Sequence, residues 1–376
     1  MQYRTLRRLH LWLSLGAALP LLVLSLTGVL LVYGHELQDA VSPEYWSAEA
    51  PSPDAEPLPY SVLLERIEAQ KPGVRVWSFG LGHETGRAWT LWLADGAGIL
   101  NLNPYTGEVL DHYKNTDSPY GFVNGLHRRW LSSDPVVTPW IRHFISTVSL
   151  IVIVQMVIGL ALWLMPPKRL SRLKVDFNRR PRTIVLRLHQ LSGVLTAVIL
   201  VTVAFTGMSL YWHGPIEDVV EAVTGQEIIH RSEPSMAGVA DIQDIDAAVA
   251  AGQAVFPDKT LLHFRAPQPG KPISMGFGGD DKIRVDQVWV GGNPPRVLAV
   301  ARADDLDAAN WFWRARYWIH IGDFAGPVVR ALWLIVALLP TAYVVSGIWL
   351  YLSRRKARRE VNGRGCNQSE ANAVQR

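Results

Sequence analysis

Four stretches of the chain consist almost wholly of apolar residues and contain no charged side chain. They cover residues 11–33, 144–165, 188–212 and 331–352. Each is at or above the roughly 20 residues that an α-helix needs to cross a hydrocarbon core about 30 Å thick. The first is longer than the apolar core of a usual signal peptide, and no small-x-small cleavage site follows it. The pattern therefore predicts four transmembrane helices.

Basic residues cluster beside two ends of these stretches and predict the orientation of the chain. One cluster lies between the second and third stretches and another directly follows the fourth: Lys168, Arg169, Arg172, Lys174, Arg179, Arg180, Arg182, Arg354, Arg355, Lys356, Arg358 and Arg359. Because short loops rich in Lys and Arg stay in the cytoplasm, both termini and the middle connector are predicted to be cytoplasmic. The two long connectors then lie outside the bacterial inner membrane, in the periplasm of a Gram-negative cell.

This orientation predicts eight successive parts. They are the first transmembrane helix with a cytoplasmic N-terminus (1–34), a first periplasmic domain (35–140), the second helix (141–166), a basic cytoplasmic loop (167–186), the third helix (187–212), a second periplasmic domain (213–326), the fourth helix (327–353) and a basic cytoplasmic tail (354–376). The first long connector contains a helical pattern at 60–71, then three strand-like runs at 74–80, 87–94 and 99–103 and a turn that leads into Glu108-Val109-Leu110. The second contains a helical pattern at 245–255, then four strand-like runs at 260–265, 273–277, 285–290 and 297–301. Each is therefore predicted to form a small α+β domain.

The chain also repeats its own motifs in the same order. The matched motifs are Arg8-Leu9-His10 with Arg187-Leu188-His189, Thr27-Gly28 with Thr206-Gly207, Leu126-His127 with Ile319-His320, Pro139-x-x-Arg142 with Pro327-x-x-Arg330, and Gly159 before Trp163 with Gly347 before Trp349. A repeat of this kind indicates two halves of similar structure. Both halves have the same direction of insertion, so we expect a four-helix bundle with a pseudo-two-fold axis.

Composition narrows the possible functions. Of 376 residues, 49% are hydrophobic and 19% charged, as expected for a chain that alternates between lipid and water. The single cysteine, Cys366, excludes a disulfide framework, a cysteine-rich zinc site, an iron–sulfur cluster and a CxxCH haem attachment. A net charge of +4 gives no support to a nucleic-acid-binding role.

Histidines at membrane depth are the candidate functional residues, because such residues are costly there and usually functional. The repeat pairs His10 with His189, near the cytoplasmic ends of the first and third helices, and His127 with His320, just outside the second and fourth. His35 and His213 form a competing outer pair, although their register to the Thr-Gly motif differs by one residue. We interpret His143 as structural because Ala331 stands at its matched position, and His83, His112, His230 and His263 as surface residues.

Two imidazoles meeting on a shared axis are the axial ligands that a low-spin b-type haem needs, and a helical bundle provides the slot. The histidines therefore predict two haems per chain, one at His10 and His189 and one at His127 and His320, with His35 and His213 as alternative ligands. Arginines near these positions are candidate partners for haem propionates: Arg7, Arg187, Arg128, Arg129, Arg142 and Arg330.

The segments around these histidines resemble the PepSY-associated transmembrane family. The resemblance rests on RRLHLWLSLGAALPLLVLSLTGVLLVYGHEL, LHRRWL, RLHQLSGVL and IHIGDFAGPVVRALW, and the NPYTGEVL turn is similar to the end of a PepSY repeat. Within the family the chain looks like the inner-membrane ferric-siderophore reductases of the ferrioxamine type. That resemblance implies PepSY-like periplasmic domains, haem-mediated electron transfer across the bilayer, and reduction of Fe(III) on a hydroxamate siderophore with release of Fe(II).

Three functions remain open from the sequence. The first is the reductase, which would take electrons from a cytoplasmic protein or a quinol, since no nucleotide-binding fingerprint is present. The second is a regulatory or binding membrane protein without redox chemistry, in which the paired histidines only form hydrogen bonds between helices. The third is a siderophore transporter, against which the spans contain no acidic residue or lysine.

Overall fold

A computed structural model describes residues 2–374 except 53, 82–85, 115, 168–172, 280 and 305, with side chains described up to residue 357. His83 and the basic residues Lys168, Arg169 and Arg172 lie outside the described residues. The helices are α1 Gln2–Val32, α2 Gly34–Val41, α3 Tyr60–Gln70, α4 Pro119–Arg129, α5 Val137–Leu164, α6 Pro181–Ser209, α7 His213–Thr224, α8 Ile245–Gln253, α9 Ala308–Ile321 and α10 Gly326–Val374. The strands are β1 Val76–Gly80, β2 Trp89–Leu93, β3 Ile99–Leu102, β4 Val109–Tyr113, β5 Thr260–Arg265, β6 Ile273–Gly278, β7 Asp286–Gly291 and β8 Arg296–Ala301.

The described residues form two compact units. The first contains those of Met1–Val32, Leu126–Ile216 and Ile319–Arg376, and the second contains those of Tyr33–Gly125 and Glu217–Trp318. Four helices of the first unit, α1, α5, α6 and α10, are long and apolar enough to cross a membrane. The chain is thus a multi-pass membrane protein with a separate unit of antiparallel sheet and helices.

The four long helices form a bundle in which α1 packs against α5 and α10, and α6 packs against the same two neighbours. Helices that carry matched motifs, α1 with α6 and α5 with α10, therefore stand at opposite corners. Ser25 of α1 donates a hydrogen bond to the Ala337 carbonyl of α10, and Thr341 donates to the Ser25 hydroxyl. Large apolar side chains point outward, with Leu19 and Val198 more than 70% exposed, as a lipid-facing surface requires.

The second unit is built on one eight-stranded antiparallel sheet in the order β4-β3-β2-β1-β5-β6-β7-β8. The expected helix and strand-like runs of both connectors are present, and the segment after the predicted turn in the first connector forms a fourth strand, β4. The expectation of two separate domains is corrected, however, because β1 and β5 pair with Phe79 opposite Phe264. This pairing joins the two four-stranded halves, and it leaves neither β1 nor β5 as an open edge that could pair with another chain.

One core serves both halves of the sheet. Leu63 and Ile67 of α3 and Ala248 of α8 are fully buried in a cluster with inward-facing residues from both halves. Phe79 and Phe264 stack with ring centres 4.6 Å apart. The shared apolar face explains why the halves do not separate, since parting them would expose this core to water.

Candidate functional site

His127 and His320 lie next to each other in the first unit. They occupy the C-terminal turns of α4 and α9, and their ring centres are 6.3 Å apart with 52° between the ring planes. An imidazole nitrogen binds a transition metal at about 2 Å, so two rings on opposite sides of one metal have centres about 6 Å apart. The observed separation therefore fits a metal held between them. These two residues are called the second pair below.

Each ring of the second pair is held by a threonine from an opposing helix. The Thr27 hydroxyl lies 2.8 Å from Nδ1 of His127, and the Thr206 hydroxyl lies 3.5 Å from Nδ1 of His320. Both hydroxyls donate to carbonyls of their own helices, so each oxygen is left to accept. His320 Nδ1 also donates to the Val203 carbonyl at 3.0 Å.

A carbonyl oxygen can only accept a hydrogen bond, which fixes the position of the imidazole proton. Nδ1 of His320 must carry the hydrogen, and the Leu24 carbonyl interacts with His127 in the matching position. The proton on Nδ1 leaves the lone pair on Nε2. Hydrogen bonding of one ring nitrogen to orient the other toward a metal is the usual arrangement for ligand histidines.

Glycines of the repeated Thr-Gly motif make room for both rings. A methyl group built on Gly207 would lie 2.6 Å from Cε1 of His320, which is too close for any real contact. The same group on Gly28 would lie 3.6 Å from Cε1 of His127, an ordinary van der Waals distance. The sequence showed that the Thr-Gly motif is repeated, but it did not show that the motif contacts the histidine rings.

His10 on α1 and His189 on α6, the pair predicted near the cytoplasmic face, are called the first pair below. Their Cε1 atoms face the matched glycines Gly159 and Gly347 at 3.8 and 4.0 Å from the position of an added methyl group. The motif residues that the sequence placed at the ends of the second and fourth spans therefore lie against the first pair.

The two histidines of the first pair differ in the hydrogen bonds that their Nδ1 atoms make. Nδ1 of His189 lies 2.8 Å from the Ser346 hydroxyl, which itself donates to the Tyr343 carbonyl. Nδ1 of His10 is buried and has no hydrogen-bond partner among the described residues. Gln155 instead binds the backbone carbonyl of His10 at 3.0 Å through its amide nitrogen. Gln155 and Ser346 were missed from the sequence, because single polar residues within an apolar span are common.

His35 and His213 do not continue the helices of the first pair. α1 ends at Val32 and α6 at Ser209, so His35 and His213 lie beyond the ends of the helices that carry His10 and His189. His35 is in α2, where its ring lies 4.0 Å from that of Tyr120. His213 begins α7 and is exposed.

Two of the predicted propionate partners already have other contacts. The Arg330 guanidinium donates through Nε and Nη2 to the carbonyl of Val32 at 3.0 and 2.7 Å, which caps the end of α1. The Arg142 guanidinium stacks on the Tyr211 ring, 4.7 Å from its centre. Arg330 and Arg142, which the repeat matches, therefore make different contacts in the two halves.

The other four arginines remain open to a ligand to different degrees. Arg7 and Arg128 are exposed, whereas Arg129 and Arg187 are half-buried. Nε of Arg129 is buried without a hydrogen-bond partner in the described part of the chain. An unpaired buried donor is unfavourable, so Arg129 is the arginine most in need of an acceptor.

His143, interpreted above as a structural residue, lies at the surface of the protein and holds Trp212 by a hydrogen bond. Its side chain is exposed at the start of α5, and its Nδ1 accepts a hydrogen bond of 2.9 Å from the Trp212 indole. A cleft of about 540 Å³ opens beside it. The cleft is lined by His143, Tyr211, Trp212, His213, Gly214 and Pro215.

A family model for the PepSY-associated TM region matches residues 7–354 of the chain. The chain belongs to this family. The match spans both histidine pairs, all four long helices and both connectors, so the resemblance noted in the sequence is confirmed at the level of the family. No curated protein matches the chain.

Proposed function

We propose that this PepSY-associated membrane protein is a di-haem oxidoreductase of the bacterial inner membrane that reduces Fe(III) on a siderophore. The second pair is the single observation that carries the proposal. Both imidazoles are hydrogen-bonded through Nδ1, which leaves Nε2 as the metal-binding nitrogen of the neutral ring, and the ring centres are 6.3 Å apart. This is the donor set of a six-coordinate b-type haem, and it contains no thiolate or carboxylate.

The residues of the second pair have separate roles in holding the cofactor. His127 and His320 would bind the iron through Nε2, while the Thr27 hydroxyl and the Val203 carbonyl hold the two rings through Nδ1. Arg129, whose Nε lacks a partner among the described residues, would donate to a propionate. Haem bound there would supply a one-electron carrier, and ligation by both histidines would disfavour oxygen binding.

The first pair provides a second candidate haem site, and the sequence spacing gives its distance from the second pair along the helices. Thr27 follows His10 by 17 residues, and Thr206 follows His189 by the same number. At a helical rise of 1.5 Å per residue, the pairs lie about 26 Å apart along their helices, close to the thickness of the hydrocarbon core. Matched spacing in both halves supports a pseudo-two-fold bundle with one haem near each membrane face.

The basic connector and tail support a cytoplasmic location for the first pair. Electrons would then enter at His10 and His189 from a cytoplasmic protein or a quinol, and leave at His127 and His320 on the periplasmic side. A hydroxamate siderophore holds Fe(III) tightly through hard oxygen donors and holds Fe(II) far more weakly. Transfer of one electron therefore releases the iron and leaves the chelator intact.

The test is an absorption spectrum of the detergent-purified full chain, oxidised and dithionite-reduced, with haem quantified per chain. We expect a b-type spectrum with about two haems per chain, since each of two bis-histidine sites holds one. The double variants His10→Ala/His189→Ala and His127→Ala/His320→Ala should each keep one haem. His112→Ala, at an exposed site outside the bundle, is the control and should keep both.

Ferric ferrioxamine should then reoxidise the reduced protein in a stopped-flow experiment. A colourless protein from haem-replete cells would refute the redox function and favour a regulatory role. Retention of two haems in either double histidine variant would refute the corresponding ligand assignment.

A further inference from the structure

Several buried polar atoms of the second unit have no hydrogen-bond partner among the described residues. Asn101 of β3 is fully buried, and this holds for both its Oδ1 and its Nδ2. It holds equally for Oε1 of Gln38 and Oδ1 of Asp39, two neighbours in α2. Such atoms are rare in folded proteins, because each has lost its water without a replacement. Three of the four atoms can only accept, so they need donors or a cation.

The strand register places further polar residues beside Asn101. Leu100 and Leu102 on either side of it belong to the core, so Asn101 points to the opposite face of the sheet. Asn101 pairs with Asp111 of β4. Directly paired residues of antiparallel strands project from the same face, and Tyr113 projects from it two residues further along β4. The amide and the Asp111 carboxylate are therefore side by side.

The Tyr113 ring brings the polar residues of α2 to this face. Burial raises the pKa of Tyr113 to about 12, and the charges of Asp111 and Asp39 add to the rise. A side-chain hydrogen bond with Gln38 opposes the rise. A bond that favours the ionised phenol is one that its oxygen accepts, so the Gln38 amide nitrogen is the donor. Its Oε1 is then the end that has no partner.

The Asp39 carboxylate lies over the middle of β3. Its Oδ2 accepts a hydrogen bond of 2.7 Å from Arg87, which precedes β2 at the end of β3 that Leu102 forms. Tyr113, with which Asp39 also interacts, lies at the other end of β3. Asn101 is between these two ends. The unpaired oxygen of Asp39 is thus held above the face from which Asn101 projects.

The other half of the sheet has a large ring at the matched place. Trp289 of β7 and Asn101 of β3 both stand eight residues before the first valine of the next strand. The cross-strand partner of Trp289 is Ala299, where Asn101 has Asp111. Trp289 is buried as well. This position in the fold therefore accepts an indole beside a methyl group, and it does not require an amide beside a carboxylate.

We propose that Gln38, Asp39, Asn101 and Asp111 bind a calcium ion. Two carboxylates and two carboxamides are oxygen ligands of the kind that Ca²⁺ takes, with water completing its shell. The carboxylates bring two negative charges, and Arg87 on the far oxygen of Asp39 brings one positive charge. Mg²⁺ is less suited because it demands a strict octahedron and keeps most of its water. The ion joins α2 to β3 and β4 of the same unit, and this role is independent of the redox proposal.

The test is calorimetric titration of calcium chloride into the detergent-purified full chain after treatment with EDTA. We expect one calcium ion to bind per chain. Calcium should also raise the midpoint of thermal unfolding, because a ligand that binds only the folded state stabilises it. Magnesium chloride and sodium chloride at the same ionic strength are the comparisons, and they should raise the midpoint less.

Two variants test the ligands. Asn101→Leu removes the buried amide at nearly constant volume, and Asp111→Ala introduces the residue of the matched half. Each should weaken calcium binding about tenfold or more. Without calcium, Asn101→Leu should unfold at the same temperature as the wild type or above it, because two unpaired buried atoms are gone. Asp95→Asn is the control, since that carboxylate is exposed and pairs with Arg75, and it should bind calcium like the wild type.

Three results would overturn the assignment. They are no calcium binding by the EDTA-treated wild type, wild-type affinity in Asn101→Leu, and equal stabilisation by sodium, magnesium and calcium, which would show screening of charge alone. Haem content separates this inference from the redox function. Calcium binding that depends on Asn101 in a protein without haem would sustain the calcium site and refute the reductase.

Discussion

Replacing Thr27 by valine removes one hydroxyl from behind His127 while keeping the shape of the side chain nearly unchanged. Thr27 is 6% exposed, so water cannot take the place of the lost oxygen. The Leu24 carbonyl remains as a weaker partner for Nδ1. We expect the ring to lose its main orienting contact and the second pair to bind haem less tightly.

The size of the effect follows from the distances. The Thr27 contact at 2.8 Å is a full hydrogen bond, whose loss costs about 1–2 kcal/mol, or a factor of about 5–30 in affinity. Thr206 lies 3.5 Å from His320, which keeps its 3.0 Å bond to Val203. Thr206→Val should therefore weaken binding by no more than about threefold, since a contact of that length contributes little.

The assay is a haem titration of the apo-protein, followed by Soret absorbance, in the His10→Ala/His189→Ala background so that only the second pair is loaded. The reduction potential gives a second readout. Thr202→Val on α6 is the control, because its hydroxyl bonds only to its own helix, at Val198. A loss that is equal in the two variants, or larger for Thr206→Val, would refute the tautomer and distance argument.

Three other outcomes follow from contacts already described. Gly207→Ala should abolish haem binding at the second pair, whereas Gly28→Ala should preserve it, because the added methyl groups lie 2.6 and 3.6 Å from the facing rings. The measurement is the haem content per chain. Asp246→Ala should cost about 1 kcal/mol in thermal unfolding, because its carboxylate accepts the Tyr60 N–H at 2.7 Å and caps α3. Burial raises the pKa of Tyr60 and of Tyr113 to about 12, so two phenols should ionise late in an alkaline absorbance titration, and Tyr60→Phe should remove one. Since the neutral phenol is the favoured buried form, its stabilising effect is complete below pH 10 and is lost as the pH rises toward 12.

The long helices and the positions of the strands along the chain could be predicted because each depends on a local pattern. Apolar length identified four spans, and the strand expected at 260–265 has those bounds in β5. The pairing of β1 with β5 was not predicted. Alternation along a strand shows which face is buried, but it does not show which other strand lies beside it.

The histidine pairs were predicted from the repeat, whereas the residues that hydrogen-bond to their rings were not. Thr27 and Thr206 were visible as a motif, but no local pattern shows that their hydroxyls face Nδ1 of His127 and of His320. The cleft shows the same limit more strongly. His143 and Trp212 come from different halves and are separated by 69 residues, so no local spacing joins them.

The join between the sheet halves also sets an order for making the protein. Ser78 donates its hydroxyl to the Phe264 carbonyl, across 186 residues of chain that include α5 and α6. When β1 leaves the ribosome, its partner has not been synthesised, and two membrane helices must be inserted before β5 follows. During that interval the first four strands carry a bare edge and half a core, which favours pairing with the wrong chain. The chain is therefore most prone to wrong strand pairing after its first half has been synthesised and before its second half follows. A chaperone that shields an open strand edge would matter most at that stage.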